Sequence, residues 1–182
     1  MSVYQKIAAV TTKLFGKPTA FKYGFNFSPM YRRSTARIQT VSKDMLRVNI
    51  KLPLSYKNKN FVNSIFGGSM FSATDPIAMI QLMSILGDNY IVWDKSAEIF
   101  FKRPAKEDLY ADFVFTEQEV EHIKQRITET NEIDITKVIE LTNKAQTITY
   151  CEVRKVIYVA AKEHYKAKQS SRLARQKNFS KN

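Results

Sequence analysis

One stretch of the chain decides the fold: residues 60–86 read NFVNSIFGGSMFSATDPIAMIQLMSIL. From Gly67 onward this stretch is predominantly apolar, and its apolar residues recur with the spacing of an α-helix. The residues with this spacing are Met70, Phe71, Ile77, Ile80, Met83 and Leu86. Gly67-Gly68 opens the segment and Gly87 ends it, so we predict one long helix here. Because it is apolar on most sides, the helix must be buried.

Two residues interrupt the helical pattern, Asp75 and Pro76. Proline lacks the amide that would donate to the Ser72 carbonyl, so we predict a kink just after Asp75. A carboxylate is costly to bury without a partner, and burial raises its pKa, which makes Asp75 a candidate catalytic residue. An aspartate before proline can also face solvent or bond the kinked backbone. The residues alone leave both interpretations open.

The remainder of the chain is dominated by segments in which apolar and polar residues alternate, as in half-buried strands. The turns at residues 42–44 and 142–145 join two pairs of these segments into hairpins. The predicted strands are residues 36–41, 45–52, 90–101, 109–115, 133–141 and 146–160. A sheet that wraps as a meander around one apolar helix is an α+β fold, with the helix covering one face of the sheet.

Three further segments flank or interrupt this sheet. Residues 4–14 predict a short amphipathic helix, and the aromatic-rich residues 18–33 predict a short strand or a loop packed over a groove. Residues 116–129 have helical spacing, with Thr116 and Glu119 as a capping box. The polar, basic residues 162–182 should be helical at first and then frayed.

The composition excludes several classes of protein. A chain of 182 residues is one domain of ordinary size, and 44% hydrophobic residues supply a core that disordered proteins lack. No apolar run approaches the roughly 18 residues of a membrane span. The single cysteine, Cys151, can form no internal disulfide. We therefore expect a soluble protein of the cytoplasm.

The net charge of +12 is unevenly distributed. Residues 1–60 hold 12 Lys and Arg against Asp44 alone, and residues 162–182 hold seven against Glu163. The middle, residues 61–161, is acidic, with 15 carboxylates against ten basic residues. This distribution is typical of a basic arm or a polyphosphate-binding rim, although charge that only keeps the protein in solution explains it equally well.

The sequence also excludes several chemistries. Its five glycines form no dinucleotide-binding or P-loop motif. The only two histidines, His122 and His164, lie in polar segments and predict surface positions, so a multi-histidine metal site or a histidine triad is not expected. Cys151 lies in the middle of a predicted strand and is interpreted as a buried structural thiol. We expect neither a metal nor a separate cofactor.

The quoted stretch resembles the signature of the hotdog-fold acyl-CoA thioesterases of the phenylacetate-pathway type. In that signature an Asn is followed six residues later by His-Gly-Gly, and an Asp follows nine residues after the His; Asn60, Phe66-Gly67-Gly68 and Asp75 match both spacings. The continuation through residues 92–99 and Arg103-Pro104 is similar to an uncharacterised bacterial hotdog branch named for tetrameric acyl-CoA thioesterases. The resemblance covers roughly residues 30–160 and implies a hotdog domain at residues 30–161, between a lead-in at 1–29 and the tail at 162–182.

The resemblance implies roles for individual residues. Asp75 would orient or deprotonate the attacking water, or attack the thioester carbonyl itself. Asn60 and the amide of Gly67 would hold the thioester oxygen, since free amides at a helix N-terminus stabilise an oxyanion. Phe66 departs from the pattern because it replaces the family's His and can neither donate a hydrogen bond nor carry a proton. Asp94 falls near a position where relatives place a Ser or Thr that touches the water, and a salt bridge to a neighbouring cation is an equally good interpretation.

The resemblance also implies a ligand and a partner. The substrate would be an acyl-CoA or an acyl carrier protein, with coenzyme A bound as part of the substrate. Lys102 and Arg103 would contact its phosphates, followed by Arg32 and Arg33. Gly68 and Met79 would line the acyl site. The resemblance implies a homodimer in which Asn60 and Asp75 from different subunits meet, and it leaves open whether two dimers pair into a tetramer.

Two alternatives to catalysis remain open at this stage. Hotdog domains also serve as non-catalytic acyl-CoA or acyl-carrier-protein binding modules, and Phe66 could mark such a loss of activity. The basic tail could contact nucleic acid or an anionic membrane, which we do not expect because it lacks interleaved aromatic residues apart from Tyr165 and Phe179.

Overall fold

A computed structural model describes residues 10–179 of the chain. Residues 10–15 are helical (α1), and most of the predicted N-terminal helix, including Tyr4, Ile7 and Ala8, lies outside the described residues. The core of the fold is a mixed arrangement of one antiparallel sheet and two consecutive helices, so the predicted α+β class is confirmed. Within the described part of the chain, no helix is long and apolar enough to cross a membrane.

Six strands form the sheet, all paired antiparallel. They are β1 Arg37–Val41, β2 Arg47–Leu52, β3 Tyr90–Phe101, β4 Leu109–Val114, β5 Glu132–Thr142 and β6 Thr149–Ala161. Both predicted hairpins are present, β1–β2 and β5–β6. The spatial order is β1-β2-β4-β5-β6-β3, so the prediction of a simple meander is wrong. The helical segment between β2 and β3 carries the chain across the sheet and places β3 at the far edge.

The predicted central helix is two helices, α4 Gly67–Thr74 and α5 Ile77–Leu86. Asp75 and Pro76 lie between them, joined by a cis peptide bond, and Asp75 has the extended backbone (φ −95°, ψ 130°) that a following proline favours. The proline therefore breaks the helix rather than kinking it. Both helices contact the sheet and bury apolar residues against it, including Met70, Ala73 and Leu82.

The aromatic-rich segment is helical, which corrects the prediction of a strand or loop. α2 spans Lys17–Phe27 and α3 spans Pro29–Arg32. The aromatic residues alternate in sequence, but the buried pair is Phe21 and Phe25, which lie one helical turn apart with their ring centroids at 4.8 Å. Proline in the first turn of each helix supplies the backbone angle that a helix start needs.

Two more helices complete the structure. α6, Glu117–Thr130, begins at Thr116 with the predicted capping box and contacts β5 and β6. α7, Lys162–Phe179, continues from β6 and lies against β3 and β6, where Tyr165 meets Trp93 edge-on at 5.6 Å between ring centroids. The predicted fraying at the end of the chain falls on residues 180–182, which lie outside the described residues.

The capping box gives a stability prediction that is independent of function. Replacing Thr116 by Ala removes the hydroxyl that accepts from the Glu119 amide at 3.0 Å, and we expect the free energy of unfolding in urea to fall by about 1 kcal/mol. Thr128→Ala, at an exposed position in the last turn of the same helix, is the matched control and should change stability by less than about 0.5 kcal/mol. Equal losses in the two variants would contradict the capping interpretation.

Candidate active site

The candidate site centres on Lys155, the one buried charged side chain among the residues whose burial the structure describes. Its side chain is 1% exposed and lies on β6. The flanking inward positions of this strand, Val153 and Ile157, are buried apolar residues. Lys155 therefore takes a position on the apolar face of the sheet, below the central helices. A buried ammonium at such a place needs anionic partners.

Two aspartates supply those partners, and they come from different elements. The Nζ atom of Lys155 lies 2.5 Å from Oδ1 of Asp75, and it also donates to Oδ2 of Asp94. Asp75 is the residue at the break between α4 and α5, and Asp94 lies on β3. The three side chains join the helix break, the edge strand and β6 at one nitrogen atom.

Local backbone features aim both carboxylates at Lys155. Asp75 ends α4 in an extended conformation, which turns its side chain out of the helical path. Asp94 immediately precedes a register shift in the pairing of β3 with β6, where Lys95 is the extra residue. A bulge of this kind re-aims side chains at the edge of a sheet. The helix break and the bulge therefore act together in forming the cluster.

The two aspartates differ in environment. The side chain of Asp75 is 47% exposed, whereas that of Asp94 is 20% exposed and its Oδ1 is buried without a hydrogen-bond partner among the described residues. Burial raises the pKa of Asp94 above its ordinary value of 3.8, the ammonium of Lys155 opposes this shift, and the neighbouring Asp75 adds to it. Asp75 is thus the carboxylate that faces solvent, and Asp94 is the one held inside.

Asn60 lies in the loop before α4 and is engaged locally. Its Oδ1 accepts from the amides of Val62 and Ser64 at 3.1 and 3.0 Å, and its Nδ2 donates to the Ser64 hydroxyl at 2.9 Å. Within one chain, no hydrogen bond between described residues joins Asn60 to Asp75. Asn60 and Asp75, which the resemblance brings together from different subunits, are therefore not hydrogen-bonded within one chain.

The N-terminus of α4 carries the predicted amide donors. The first helical bonds run from Ser69 and Met70 to the Phe66 carbonyl, at 2.9 and 3.2 Å. The amides of Gly67 and Gly68 precede these bonds and have no acceptor among the described residues. Free amides at the positive end of a helix are able to bind an anion or a developing oxyanion.

Two phenyl rings cover these glycines. A Cβ atom at Gly67 would lie 2.7 Å from Cζ of Phe101, and one at Gly68 would lie 2.3 Å from Cε1 of Phe66. Only hydrogen at the α-carbon permits this approach. Phe66, at the position of the family's His, is exposed and packs its ring over the helix end. The free amides therefore lie next to apolar rather than basic side chains.

The remaining predicted site residues lie around this centre. Lys102 and Arg103 directly follow β3 and are exposed, and Lys102 forms an ion pair with Glu152 at 3.3 Å. Met79 is partly buried on α5. Cys151 is buried, and burial raises the pKa of its thiol to about 11, so it is a poor nucleophile at neutral pH. Across residues 10–179, no group of His, Cys, Asp and Glu is arranged to hold a metal ion.

Sequence reasoning missed Lys155, the residue that joins the cluster. The signal was available, because residues 151, 153, 157 and 159 of the same strand are Cys, Val, Ile and Val, and a lysine interrupts this inward-facing series. A charged residue at an apolar position of a strand predicts a buried partner of opposite charge. Asp94 is one such partner, since a salt bridge with a neighbouring cation is one interpretation of Asp94 from the sequence alone.

Comparisons with a protein family and with solved structures cover most of the chain. A family model described as a domain of unknown function, DUF4442, matches residues 17–159. A solved protein of unknown function from Pseudomonas aeruginosa is 16% identical, with a TM-score of 0.69 over 79% of this chain and 95% of that one. A Haemophilus influenzae thioesterase is 12% identical (TM-score 0.55, 79% and 90% covered), and zebrafish thioesterase superfamily member 2 is 14% identical (TM-score 0.54, 79% and 95% covered).

No curated protein matches the chain in sequence. At these low identities the structural likeness demonstrates the fold alone, which is the hotdog fold. The predicted hotdog architecture is therefore confirmed.

The cluster predicts a pH-dependent stability. In Lys155→Met, Asp94 keeps its burial and the repulsion from Asp75 but loses the ammonium that lowers its pKa. The folded variant should then bind protons more tightly than the unfolded chain and lose stability as the pH rises. We expect a deficit of about 3 kcal/mol against wild type at neutral pH, shrinking as the pH falls toward about 4, in urea unfolding across a pH series.

Lys137→Met is the matched control for this prediction. Lys137 lies opposite Lys155 in the register of β5 and β6, and its partner Glu119 is exposed enough to be hydrated when the lysine is removed. Its loss should be about 1 kcal/mol or less. A Lys155→Met deficit that is no larger than the control, or that is independent of pH, would contradict the interpretation.

Proposed function

From the premise that the chain belongs to the DUF4442 family, whose model spans residues 17–159, we propose that it is a thioesterase. The reaction would be hydrolysis of an acyl-CoA to a free acid and coenzyme A. The single observation that carries this proposal is the half-exposed carboxylate of Asp75, fixed by the buried Lys155 at the end of the helix whose N-terminal amides are free. The fold of the superfamily supports the same class of substrate.

The geometry suits Asp75 for the attacking step. The ion pair with Lys155 fixes the position of the carboxylate, and its exposure leaves it open to water and substrate. Asp75 would either deprotonate a water that attacks the thioester carbon or attack that carbon itself. In both routes the C–S bond breaks and the thiolate of coenzyme A leaves. In the second route the acyl group remains on Asp75 as an anhydride, which water then hydrolyses to the free acid and the restored carboxylate. A thiolate is a good leaving group, so the site needs no strong general acid.

The amides of Gly67 and Gly68 would hold the thioester oxygen as it gains charge. Preorganised donors of this kind contribute about 3–4 kcal/mol to the transition state in a site that excludes water. The rings of Phe66 and Phe101 lie over these glycines and would exclude water from them. Phe66 would then act through desolvation, which accounts for an apolar residue at a position where relatives carry His.

Asn60 would contribute across a subunit boundary, because its carboxamide is separate from Asp75 within one chain. The edge strand β3 is the surface that would form this boundary. It is 12 residues long, and among the described residues only one of its edges is paired, with β6. Long unpaired edges are prone to pair with another chain. Exposed aromatic residues accompany this edge, among them Trp93, Phe100 and Phe101. We propose a homodimer in which the β3 strands adjoin.

The catalytic role of Asp75 is tested by substitution. Asp75→Asn keeps the size of the side chain but removes the charge that acts on water or the carbonyl, so kcat for acyl-CoA hydrolysis should fall at least ten-fold. Thiol release from short, medium, long and aromatic acyl-CoAs gives the rate and the chain-length preference. The matched control is Asp88→Asn in the exposed turn after α5, which should keep the wild-type rate.

Two results would contradict this proposal. Near-wild-type turnover in Asp75→Asn would remove Asp75 from the mechanism. Binding of acyl-CoA by the wild-type protein without turnover of any substrate would favour the non-catalytic binding module instead, and would make Phe66 the residue that explains the loss.

The proposed dimer is tested at Phe101. A charge at this exposed position should be harmless in a monomer but costly in a subunit interface, so Phe101→Glu should raise the dimer dissociation constant at least ten-fold in sedimentation equilibrium. Phe27→Glu introduces the same charge at an exposed phenylalanine of α2 and is the control. Identical association of the two variants would rule out the β3 edge as the interface.

A further inference from the structure

A cavity of about 520 Å³ lies away from the aspartate–lysine cluster, between α3, the start of β1 and the loop after β2. Four of its lining residues are basic: Arg32, Arg33, Arg37 and Lys57. The described lining of the cavity includes no carboxylate. A cavity with four cations and no compensating acid has a strongly positive potential.

The cations of this cavity are also unpaired. Among the described residues, no Asp or Glu forms an ion pair with Arg32, Arg33, Arg37 or Lys57. The cavity beneath α7 is the opposite case, because its Lys95 and Lys168 are bound to Asp134 and Glu132. Arg37 donates one guanidinium N–H to the Ala36 carbonyl at 2.7 Å. The remaining guanidinium donors of the cavity between α3, β1 and the loop after β2 have no carboxylate partner among the described residues and are available to an anionic ligand.

A buried asparagine holds the two walls of the cavity together. Nδ2 of Asn58 donates to the Thr35 hydroxyl at 2.7 Å and to the Pro53 carbonyl at 2.8 Å. Its Oδ1 accepts from the amide of Ser55 at 2.9 Å. Thr35, Pro53 and Ser55 all line the cavity. The walls are thus cross-linked by one side chain, and the shape of the cavity exists before any ligand binds.

An aromatic ring stands at the cavity beside the cations. Tyr56 is 86% exposed, and Nζ of Lys57 lies 5.6 Å from the centroid of its ring. An exposed ring next to positive charge is suited to stack a planar base whose phosphates are held nearby. Guanidinium groups bind phosphate oxygens through charge-assisted, often bidentate, hydrogen bonds.

We propose that this cavity binds a nucleotide with two or more phosphate groups, with the base against Tyr56 and the phosphates on Arg32, Arg33, Arg37 and Lys57. The four positive charges match the charge of a nucleotide that carries a diphosphate and one further phosphate. The adenosine end of coenzyme A has this composition. The choice of coenzyme A as the source rests on the proposed thioesterase function, and a free nucleotide acting as an effector shares the same chemistry.

The cavity is linked to both ends of α4. The hydroxyl of Tyr31, next to Arg32, donates to the Ala73 carbonyl at 3.0 Å, two residues before Asp75. The carbonyl of Asn58 accepts from the Phe66 amide at 2.8 Å, directly before Gly67. A ligand that orders the walls of the cavity would therefore act on the helix that carries the candidate catalytic groups.

The test compares two double variants of equal charge. Arg32→Gln/Arg37→Gln removes two cations of the cavity, and Lys43→Gln/Lys144→Gln removes two exposed lysines elsewhere. Adenosine 3′,5′-bisphosphate and coenzyme A are titrated into each protein by isothermal calorimetry at low and moderate salt. We expect the cavity variant to bind both probes at least ten-fold more weakly than wild type, and the control to bind as wild type does.

The kinetic arm of the experiment separates the two sources of the nucleotide. If the cavity variant raises KM for an acyl-CoA at least ten-fold with kcat unchanged, the ligand is the substrate's carrier. If nucleotide binding weakens but KM is unchanged, the ligand is a free nucleotide at a separate site. Both results support the cavity as a nucleotide site.

Equal affinity of the cavity variant and its control, or no binding of either probe to wild type, would overturn the proposal. These results are distinguishable from failure of the proposed function. If the protein binds the probes through the arginines but hydrolyses no thioester, the nucleotide site is supported and the thioesterase function is contradicted. Thioester hydrolysis by a wild-type protein that binds neither probe would support the thioesterase function and overturn the nucleotide site.

Discussion

The burial of one ammonium group organises this molecule. Lys155 is 1% exposed on the inward face of β6, and an ammonium there is tolerated only with anionic partners in contact. Its partners, Asp75 and Asp94, come from the break in the central helix and from the edge strand. A change in the position of the helix break or of the bulge in β3 would leave a charge unpaired. The cluster thus fixes how the helices sit on the sheet.

Such a cluster has no advantage for stability alone. Replacing buried ion pairs by apolar residues of similar size is often neutral or stabilising, because the charges must be taken out of water. A sheet position between Val153 and Ile157 would accommodate an apolar side chain by the pattern of its neighbours. A lysine there is better explained by what it holds: a half-exposed carboxylate next to an apolar helix end with free amides. The cost of the cluster therefore points to function.

The environment separates the roles of the two aspartates. Asp94 is enclosed and its pKa is raised by burial, whereas Asp75 faces solvent. Under the proposed function, Asp75 would meet a substrate that arrives from outside. Asp94 pairs with the same lysine from the inner side of the cluster. The proposal therefore assigns Asp75 as the reactive group and Asp94 as a positioning group.

Local patterns predicted most of the secondary structure, because the information lies in neighbouring residues. The β1–β2 and β5–β6 hairpins follow from alternation, and the capping box of α6 follows from Thr116 and Glu119. The strand order was not accessible in this way, since the paired residues of β3 and β6 lie 50 (Phe101 and Cys151) to 71 (Tyr90 and Ala161) positions apart in the sequence. The aromatic segment before β1 was misinterpreted because aromatic residues two apart suggest a strand, while the buried pair, Phe21 and Phe25, is one helical turn apart.

For the site, the motif spacing predicted Asp75 and Gly67 but not what they contact. Asn60 matches the family pattern, yet its carboxamide is bound to Ser64 within the chain, a property of the loop conformation that sequence spacing does not determine. Lys155 was missed for the same reason: its partners lie 80 and 61 residues away along the chain. Long-range pairing of charges is visible only once the strands and helices are in place.

The distribution of charge in the folded molecule explains the excess of positive charge in the sequence. Carboxylates from the acidic middle segment neutralise lysines across the sheet, as in Lys51 with Asp108 and Lys137 with Glu119. The first 60 residues contain only Asp44 as an acid, so their cations must find partners elsewhere or remain unpaired. Around Asn58, four of them line one cavity and form no ion pair with another described residue, while the hydrogen bonds of Asn58 hold the cavity walls together. Mutual repulsion makes such a cluster unfavourable by itself, and a polyanionic ligand would relieve that repulsion directly.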